Sequence, residues 1–596
     1  MHTSLFSQRE RFSAHRLRLL SSMTLMLLIM GCSESSKPIA VHKRQKPTPE
    51  ILEKRCKEMF GTPRVEEVAS GVFVAIGYDL ANVIWIQTAD GHVVIDTGMS
   101  KPRATEIRTA LEQKSKGTVK AVIYTHSHLD HVGGTSVFAD EGAEIWATEN
   151  FTKHFFKQYG VYRPRDAAGA ARQFGQHVSL DLLECSSLGK RTDIDLALDT
   201  GMRMPTHTFT KFKAFEVGGV QIELFEAHGE THDQLFVWLP QKKVLMPADN
   251  YYSAFPNLYT IRGAKPRDVT QWINSLDQMR RLRPEVLVPS HTLPVIGADN
   301  VQNALRDYRD GIQWVRDSVI RGVNMDMTPD DLVRTIGLPP HLVKNENLQE
   351  IYGQLDWSIR GIYSNNLGWF SGRTERMYPL LNFEKEQREI KLMGGVDAVW
   401  AKAKEAMAAG DYSWAGSLIG KLRDSELVPD DRQAELRKDE AAVYRSLAEG
   451  IANTNGRAWL FQVAHEIDNG KPKFRQPKLD EDFMRAMPIS LIFDVLPTRL
   501  IPEKTIDLHQ SLAFEFTDTN EKITVTIRRG VAEVVYGERL PGTPDPVATL
   551  RTTTMLWKKL SSEQINTVQA LTSGDFNVEG DALAIQTFFS NFRRGF

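Results

Sequence analysis

The sequence predicts an α/β domain, then an all-α domain, then a small α+β domain, in that chain order. Three observations carry this reading. Short β-rich runs alternate with helical stretches between residues 61 and 300, the apolar spacing turns almost wholly helical over 301–470, and strands separated by turns return over 482–596. A chain of 596 residues is also too long for one hydrophobic core, so several domains are expected from length alone.

The first residues read as an export signal. Arg9, Arg11, Arg16 and Arg18 precede the apolar run Met23 to Met30, which is too short to span a bilayer. The run stops at Gly31-Cys32 and a polar stretch follows, which resembles a bacterial lipoprotein signal with Cys32 as the lipidated residue. Met30 is bulky for that box, so plain secretion with Cys32 incidental and an uncleaved anchor stand as alternatives. Each places the bulk of the chain outside the cytoplasm, as a periplasmic or membrane-anchored protein. Residues 33–60 read as a linker with a short helix.

Val72 to Ile76, Val83 to Thr88 and His92 to Asp96 open the α/β domain as a meander, with Ala89-Asp90-Gly91 as turn chemistry. Ala104 to Gln113 follows as a helix, Lys120 to Tyr124 and Gly142 to Ala147 as strands. Val220 to Phe225, Leu235 to Leu239, Lys243 to Met246 and Val286 to Val288 add strands around the helix Asp268 to Arg281. The middle reads as helices at Asn303 to Arg321, Asp330 to Thr335, Val396 to Ala409, Tyr412 to Arg423 and Arg432 to Asn453. Gly410-Asp411-Tyr412 with its small neighbours has tetratricopeptide-like spacing, but a single copy makes a helical hairpin rather than a solenoid. Asp468 to Asp480 reads as a linker. Beyond it Ile489 to Val495, Ala513 to Phe516, Ile523 to Arg528, Val531 to Tyr536 and Ala548 to Thr553 read as strands, with helices at Ser561 to Ala570 and Ala582 to Phe592.

The 73 Lys and Arg against 75 Asp and Glu give a net charge of -2, which supplies no field to draw in phosphate backbones and argues against nucleic acid. Cys32, Cys56 and Cys185 are too few for a disulfide scaffold or a zinc ribbon, so any metal must be held by histidines and carboxylates. Cys56 and Cys185 either pair or remain free thiols, because sequence separation says nothing of Cα distance.

The chemistry concentrates in Tyr124-Thr125-His126-Ser127-His128-Leu129-Asp130-His131, directly after a strand. His126 and His128, two apart, point the same way from an extended segment. Asp130 and His131 follow a turn and face a second point, so one loop can serve two metals. A polar loop holding these residues by accident is disfavoured, because each buried imidazole costs free energy without a partner.

This motif resembles that of the metallo-β-lactamase superfamily, and further residues match in chain order. Asp96 resembles the strand-end aspartate that supports the metal loop. Gly229-Glu230-Thr231 stands where most members carry a histidine ligand, Asp249 matches the bridging carboxylate, and His291 the last histidine ligand. The resemblance implies an αββα sandwich with His126, His128 and Glu230 on one metal, Asp130, His131 and His291 on the other, and Asp249 bridging. His228 and His232 compete with Glu230, which is preferred because it alone keeps the family register. Two zinc ions per chain are the first choice for imidazole and carboxylate ligands, with iron or manganese compatible with the spacing.

Glutamate at that ligand position, the helical middle and the α+β tail resemble the alkylsulfatases of the superfamily. That implies a helical dimerisation domain, a sterol-carrier-like C-terminal domain and a homodimer. In Asn257-Leu258-Tyr259-Thr260-Ile261-Arg262-Gly263, Arg262 matches the arginine that grips the sulfate, a planar guanidinium suited to an oxyanion; Arg267 is a weaker second candidate. Three residues or stretches depart from the family pattern: Asp249 in place of glutamate, Asp356-Trp357-Ser358, and Ser371 within Trp369-Phe370-Ser371-Gly372. The resemblance implies hydrolysis of an alkyl sulfate to alcohol and sulfate by a metal-bridging hydroxide. It also implies an apolar trough for the alkyl chain, for which Phe514, Phe516, Phe576, Phe588, Phe589 and Phe592 are available, although an ordinary core is the better reading of each. Another hydrolase on the same fold (phosphodiesterase, lactonase or thioesterase) and a non-catalytic lipid-binding envelope lipoprotein are the alternatives.

Overall fold

The computed structural model describes residues 47–158, 160–191, 198–472 and 481–593. The expected export signal with Cys32, and residues 473–480 of the expected linker, lie outside the described residues. Among the described residues no helix is long and apolar enough to cross a membrane.

A short helix, Pro49–Arg55 (α1), precedes the first sheet. That sheet begins as an antiparallel meander of Arg64–Ala69 (β1), Val72–Ile76 (β2), Val83–Thr88 (β3) and Gly91–Ile95 (β4). It crosses over through helix Lys101–Glu112 (α2) to Val119–Ile123 (β5), which runs parallel to β4. From β5 the chain passes through Leu129–Val132 (α3) to Glu144–Thr148 (β6), then through Phe151–Lys157 (α4) and Arg163–Phe174 (α5). The two-residue strands Cys185–Ser186 (β7) and Gly189–Lys190 (β8) pair outside the sheet, and His207–Phe209 (β9) completes it, giving the order β1-β2-β3-β4-β5-β6-β9. A second sheet follows in simple sequence: Phe212–Val217 (β10), Val220–Glu226 (β11), Leu235–Leu239 (β12), Val244–Met246 (β13), Val286–Leu287 (β14) and Val295–Ile296 (β15).

Alternation along each strand explains the layering. Val72, Val74, Ile76, Ile84 and Ile86 of the first sheet meet Ile222, Leu224, Val237 and Leu239 of the second in one buried cluster. Phe73, Trp85 and Val94 point the other way, onto Ala104, Ile107 and Leu111 of α2. Phe236, Trp238 and Leu245 receive helix Val269–Arg281 (α6) through Trp272, Ile273 and Leu276, and helix Ala298–Val323 (α7) through Leu305, Tyr308 and Ile312. Helices thus cover both outer faces, the expected αββα sandwich, and each fully buried Leu or Ile contributes about 1.5–3 kcal/mol. Asp268, read from sequence as the first residue of α6, is instead its N-cap, accepting from Thr270 N and Gln271 N at 2.9 and 3.1 Å. Helix α7 runs across the expected domain boundary at residue 300.

The helical region continues with Leu355–Leu367 (α8), Asn382–Leu392 (α9), Val396–Ala408 (α10), Tyr412–Asp424 (α11), Gln433–Glu449 (α12) and Thr454–Asn469 (α13). The hairpin α10–α11 turns at Gly410, with φ +76°, and Asp411, whose side chain caps α11 by accepting from Trp414 N. Its apolar faces join Ile390 of α9 with Leu436 and Val443 of α12, so the hairpin sits within a larger array. The single helix expected over Arg432 to Asn453 is corrected: α12 stops at Glu449, and Asn453 caps the new helix α13 by accepting from Gly456 N at 3.0 Å. Asp468, expected in a linker, is the penultimate residue of α13.

The last module holds Glu481–Ala486 (α14), Ile489–Val495 (α15), His509–Phe516 (β16), Lys522–Arg528 (β17), Val531–Tyr536 (β18), Pro546–Thr552 (β19), Thr554–Ser561 (α16), Thr567–Thr572 (α17), Phe576–Gly580 (β20) and Ala582–Phe589 (α18). Its sheet has the order β18-β17-β16-β19-β20. Ile489 to Val495 was expected as a strand. It is helical because Ile489, Ile492 and Phe493 recur at the spacing of one helix face, all buried. The helix expected over Ser561 to Ala570 is two helices, broken where Glu563 takes φ 58° and Asn566 starts a new capping box with Gln569. Strand β20, an edge strand with little burial, had no signal strong enough to be read. Phe514, Phe516, Phe588 and Phe592 are buried, with Phe576 and Phe589 packed against them, so the six build the module's core. That core is continuous with the first domain: Phe155 and Phe156 of α4 meet Phe483 with ring centroids 5.8 and 5.3 Å apart.

Cys56 and Cys185, 129 positions apart in sequence, form a disulfide with Cα atoms 5.6 Å apart. It ties the segment after α1 to β7. Arg55 beside it is buried and donates to the carbonyls of Ser187 and Ser253.

Candidate metal centre

The buried strand β5 ends at Ile123 and delivers its next residues to one edge of the sandwich. His128 is extended, with ψ 147°, and is followed directly by the one-turn helix α3. His126 and His128 therefore leave an extended segment, while Asp130 and His131 sit on a helical turn. Asp96, at the end of β4, takes a left-handed conformation with φ 59°, which aspartate tolerates better than most side chains. Its Oδ1 accepts from Thr125 N at 2.9 Å. Its Oδ2 accepts from Thr125 Oγ1 at 2.9 Å, Ser290 Oγ at 3.0 Å and His131 Nδ1 at 2.7 Å. One buried carboxylate thus joins the ends of three strands beneath the loop.

The expected ligands converge. His126, His128 and Asp249 each offer an atom within 4.8 Å of the other two, and Asp130, His131 and His291 do the same. His126 Nε2 and His128 Nδ1 are 2.8 Å apart. Asp130 Oδ2 is 3.4 Å from His131 Nε2 and 3.5 Å from His291 Nε2. Asp249 Oδ2 faces both groups, 3.7 Å from His126 Nε2, 3.6 Å from His131 Nε2 and 3.2 Å from His291 Nε2. Glu230 borders the first group, with Oε1 4.0 Å from His128 Nδ1 and 2.6 Å from Arg267 Nη2.

The tautomers follow from the partners. His131 donates through Nδ1 to Asp96, and His291 through Nδ1 to the Leu80 carbonyl at 2.9 Å, so Nε2 is the atom each would turn to a bound cation. Thr125 Oγ1 gives its proton to Asp96 and accepts from His126 Nδ1 at 3.1 Å, leaving His126 Nε2 free to bind. The other two histidines of the glycine loop are engaged elsewhere. His228 lies against Glu226, at 2.9 Å, and Gln271, while the His232 ring lies over His154.

Burial governs the electrostatics. It lowers the His126 pKa to about 3, with His131 adding to the effect, and holds His128 well below its ordinary value with help from His126 and Arg262. Burial alone would also depress His131 and His291, but Asp130 and Asp249 beside the first, and Asp249 above all beside the second, raise both. Asp249 and Asp130 are held low by these histidines against burial, whereas burial raises Glu230 despite Arg267. Four carboxylates gathered among four imidazoles call for positive charge. Three of their atoms, His131 Nε2, Asp249 Oδ1 and Glu230 Oε2, are buried without a hydrogen-bond partner among the described residues, which fits ligands to divalent cations.

Arg262 is half-buried, with Nη2 3.2 Å from His128 Nε2, at the rim of this cluster. Arg267 is 6% exposed and pairs with Glu230 and the Asn257 carbonyl, so it anchors an expected ligand rather than facing the open rim. Sequence reasoning did not find Thr125, Ser290, the Leu80 carbonyl or Asp79, which accepts from Leu80 N and Met99 N at 2.8 Å each. Of these only Thr125 and Ser290 carried a signal, as polar neighbours of His126 and His291. The departures Asp356-Trp357-Ser358 fall on the first turn of α8, where Trp357 lies against Gly456 of α13 and Ser358 Oγ donates to the Gln354 carbonyl.

A family model of the metallo-beta-lactamase superfamily matches residues 76–291, one of alkyl sulfatase dimerisation matches 328–470, and one of the alkyl sulfatase C-terminal region matches 477–595. The linear primary-alkylsulfatase of Pseudomonas sp. (strain ATCC 19151) is 31% identical over 530 residues, covering 85% of this chain and 98% of that protein. An (R)-specific secondary-alkylsulfatase of Pseudomonas sp. is 28% identical, covering 88% of this chain and 80% of its own length. Among solved structures, a double mutant of the sec-alkyl sulfatase PisA1 superimposes with a TM-score of 0.82 at 26% identity, covering 94% of this chain and 92% of that one.

Proposed function

The chain belongs to the alkylsulfatase family of the metallo-β-lactamase superfamily, and on that premise we propose that it hydrolyses sulfate esters of aliphatic alcohols to the alcohol and inorganic sulfate. The observation that carries the reading is Asp249 Oδ2 between two facing ligand groups, with the Arg262 guanidinium 3.2 Å from His128 on their rim. His126, His128 and Glu230 would hold one metal, Asp130, His131 and His291 the other, and Asp249 both. Imidazole and carboxylate donors favour zinc. When bound, the pair would acidify a water molecule and polarise the ester oxygens, so that no serine or cysteine nucleophile is required. The protein's own part is positional. Asp96 and the Leu80 carbonyl keep the Nδ1 protons of His131 and His291, Arg267 anchors Glu230, and Arg262 offers a planar donor pair to a tetrahedral anion.

The protein without residues 1–32, loaded with zinc, is expected to release inorganic sulfate from a primary or a secondary alkyl sulfate with about two zinc ions per chain. Full metal occupancy without sulfate release from either ester would overturn the assignment and direct attention to phosphoesters and lactones.

The assembly is proposed as a homodimer built through the helical domain. Support comes from the match of residues 328–470 to the dimerisation family and from exposed Leu367, Trp369, Tyr378, Leu381 and Leu392 between the end of α8 and the end of α9. Location in the envelope, with Cys32 lipidated, is supported by the leader sequence and by the Cys56–Cys185 pairing, which suits an oxidising compartment. Sedimentation of the full chain from detergent-solubilised membranes is expected to give twice the monomer mass. A monomer, or a full chain left in the soluble fraction, would refute the corresponding half of this proposal.

A further inference from the structure

Arg262 has its backbone gripped from both sides by one helix. Gln173 on α5 is buried, and its Oε1 accepts from Arg262 N at 3.1 Å and from Thr260 Oγ1 at 2.7 Å. A backbone N–H can only donate, so the orientation of this amide is fixed. Gly169, one turn earlier on the same helix face, meets the Arg262 carbonyl so closely that a Cβ there would stand 2.3 Å from the oxygen. Gly263 then takes φ +89°, turning the chain away directly after the arginine. Neither Gly169 nor Gln173 is among the candidate metal ligands.

The helix that does the gripping is itself anchored in the helical domain. Arg172, next to Gln173, makes a forked pair with Glu466 of α13, at 2.7–3.2 Å. His177 N, just beyond the helix, donates to Gln462 Oε1 of α13 at 2.9 Å. An arginine side chain loses conformational freedom when it closes on an anion, and fixing its backbone beforehand lowers that cost.

We propose that Gly169 and Gln173 are positioning residues for sulfate binding, a clamp on the Arg262 backbone that α13 holds in place through Arg172–Glu466. The proposal rests on the reading of Arg262 as the group that grips the sulfate. It links the helical domain to anion affinity without any contact between that domain and the anion.

The test uses the full-length, metal-loaded enzyme with octyl sulfate as substrate and inorganic sulfate as competitive inhibitor, with metal content and melting temperature measured on each sample. Gln173→Met removes the acceptor at nearly constant volume, and Gly169→Ala presses on the Arg262 carbonyl. Each is expected to raise KM and the sulfate Ki together by about tenfold, with kcat within about threefold and metal content unchanged. Gln173→Glu, which keeps an acceptor, is expected to recover most of that loss. The clamp is overturned if both first variants leave KM and Ki unchanged while Arg262→Ala raises them, or if Gln173→Glu binds sulfate no better than Gln173→Met. A fall in metal content or melting temperature that tracks KM across the three variants likewise overturns it, by making the role structural. Arg262→Ala with KM and Ki unchanged would instead strike the Arg262 reading itself, and the clamp with it.

Discussion

Asp249→Ala is expected to lower turnover by about a thousandfold or more and to bring metal content from about two ions per chain to below one. Among the described residues Asp249 is the only carboxylate within 4 Å of histidines from both ligand groups, reaching His126, His131 and His291 at 3.7, 3.6 and 3.2 Å. Its loss therefore weakens both sites together. His126→Ala and Asp130→Ala each remove a ligand from one group only, so each is expected to abolish turnover while retaining more metal than Asp249→Ala. Elemental analysis alongside steady-state kinetics checks this, and an Asp249→Ala protein that keeps both ions would refute the bridging role.

Asp96→Ala should damage the centre without removing a ligand. The carboxylate is fully buried and accepts from Thr125 N, Thr125 Oγ1, Ser290 Oγ and His131 Nδ1. Without it, His131 loses the partner that sets its tautomer, and three other buried donors lose theirs. A drop of about 10–100-fold in metal affinity is expected, together with about 3–5 kcal/mol of stability from the unpaired groups left behind. Chelator competition measures the first and denaturant unfolding the second. Wild-type affinity in Asp96→Ala would show that the orientation of His131 is set elsewhere.

The parts of this centre that were legible in sequence are those that are local or in register with a known pattern. His126, His128, Asp130 and His131 lie within one loop, and Asp249 and His291 follow short buried strands, so motif and order place them. Gln173 was invisible because it acts on a backbone atom 89 positions away, and the Leu80 carbonyl because no side chain marks it. The pairing of Cys56 with Cys185 depends on a Cα distance that sequence separation does not encode. In the fold, long periodic elements such as α7 and the meander β2–β4 could be read within a few residues. Ile489 to Val495 could not, since a seven-residue segment with five apolar positions fits a buried strand and a short helix equally well until its partners are known.

The contact of Phe155 and Phe156 with Phe483 bears on where this chain can be cut. Three family models divide the sequence, yet the apolar residues under the first sheet's helices and those of the last module form one uninterrupted cluster. A protein ended at residue 470 would bare the aromatic face of α4, directly beside the metal loop, to which Gln158 Nε2 donates at the Ser127 carbonyl. The first and last modules, matched by separate family models, are thus expected to melt as one cooperative unit, and removing the last would expose apolar surface on the first.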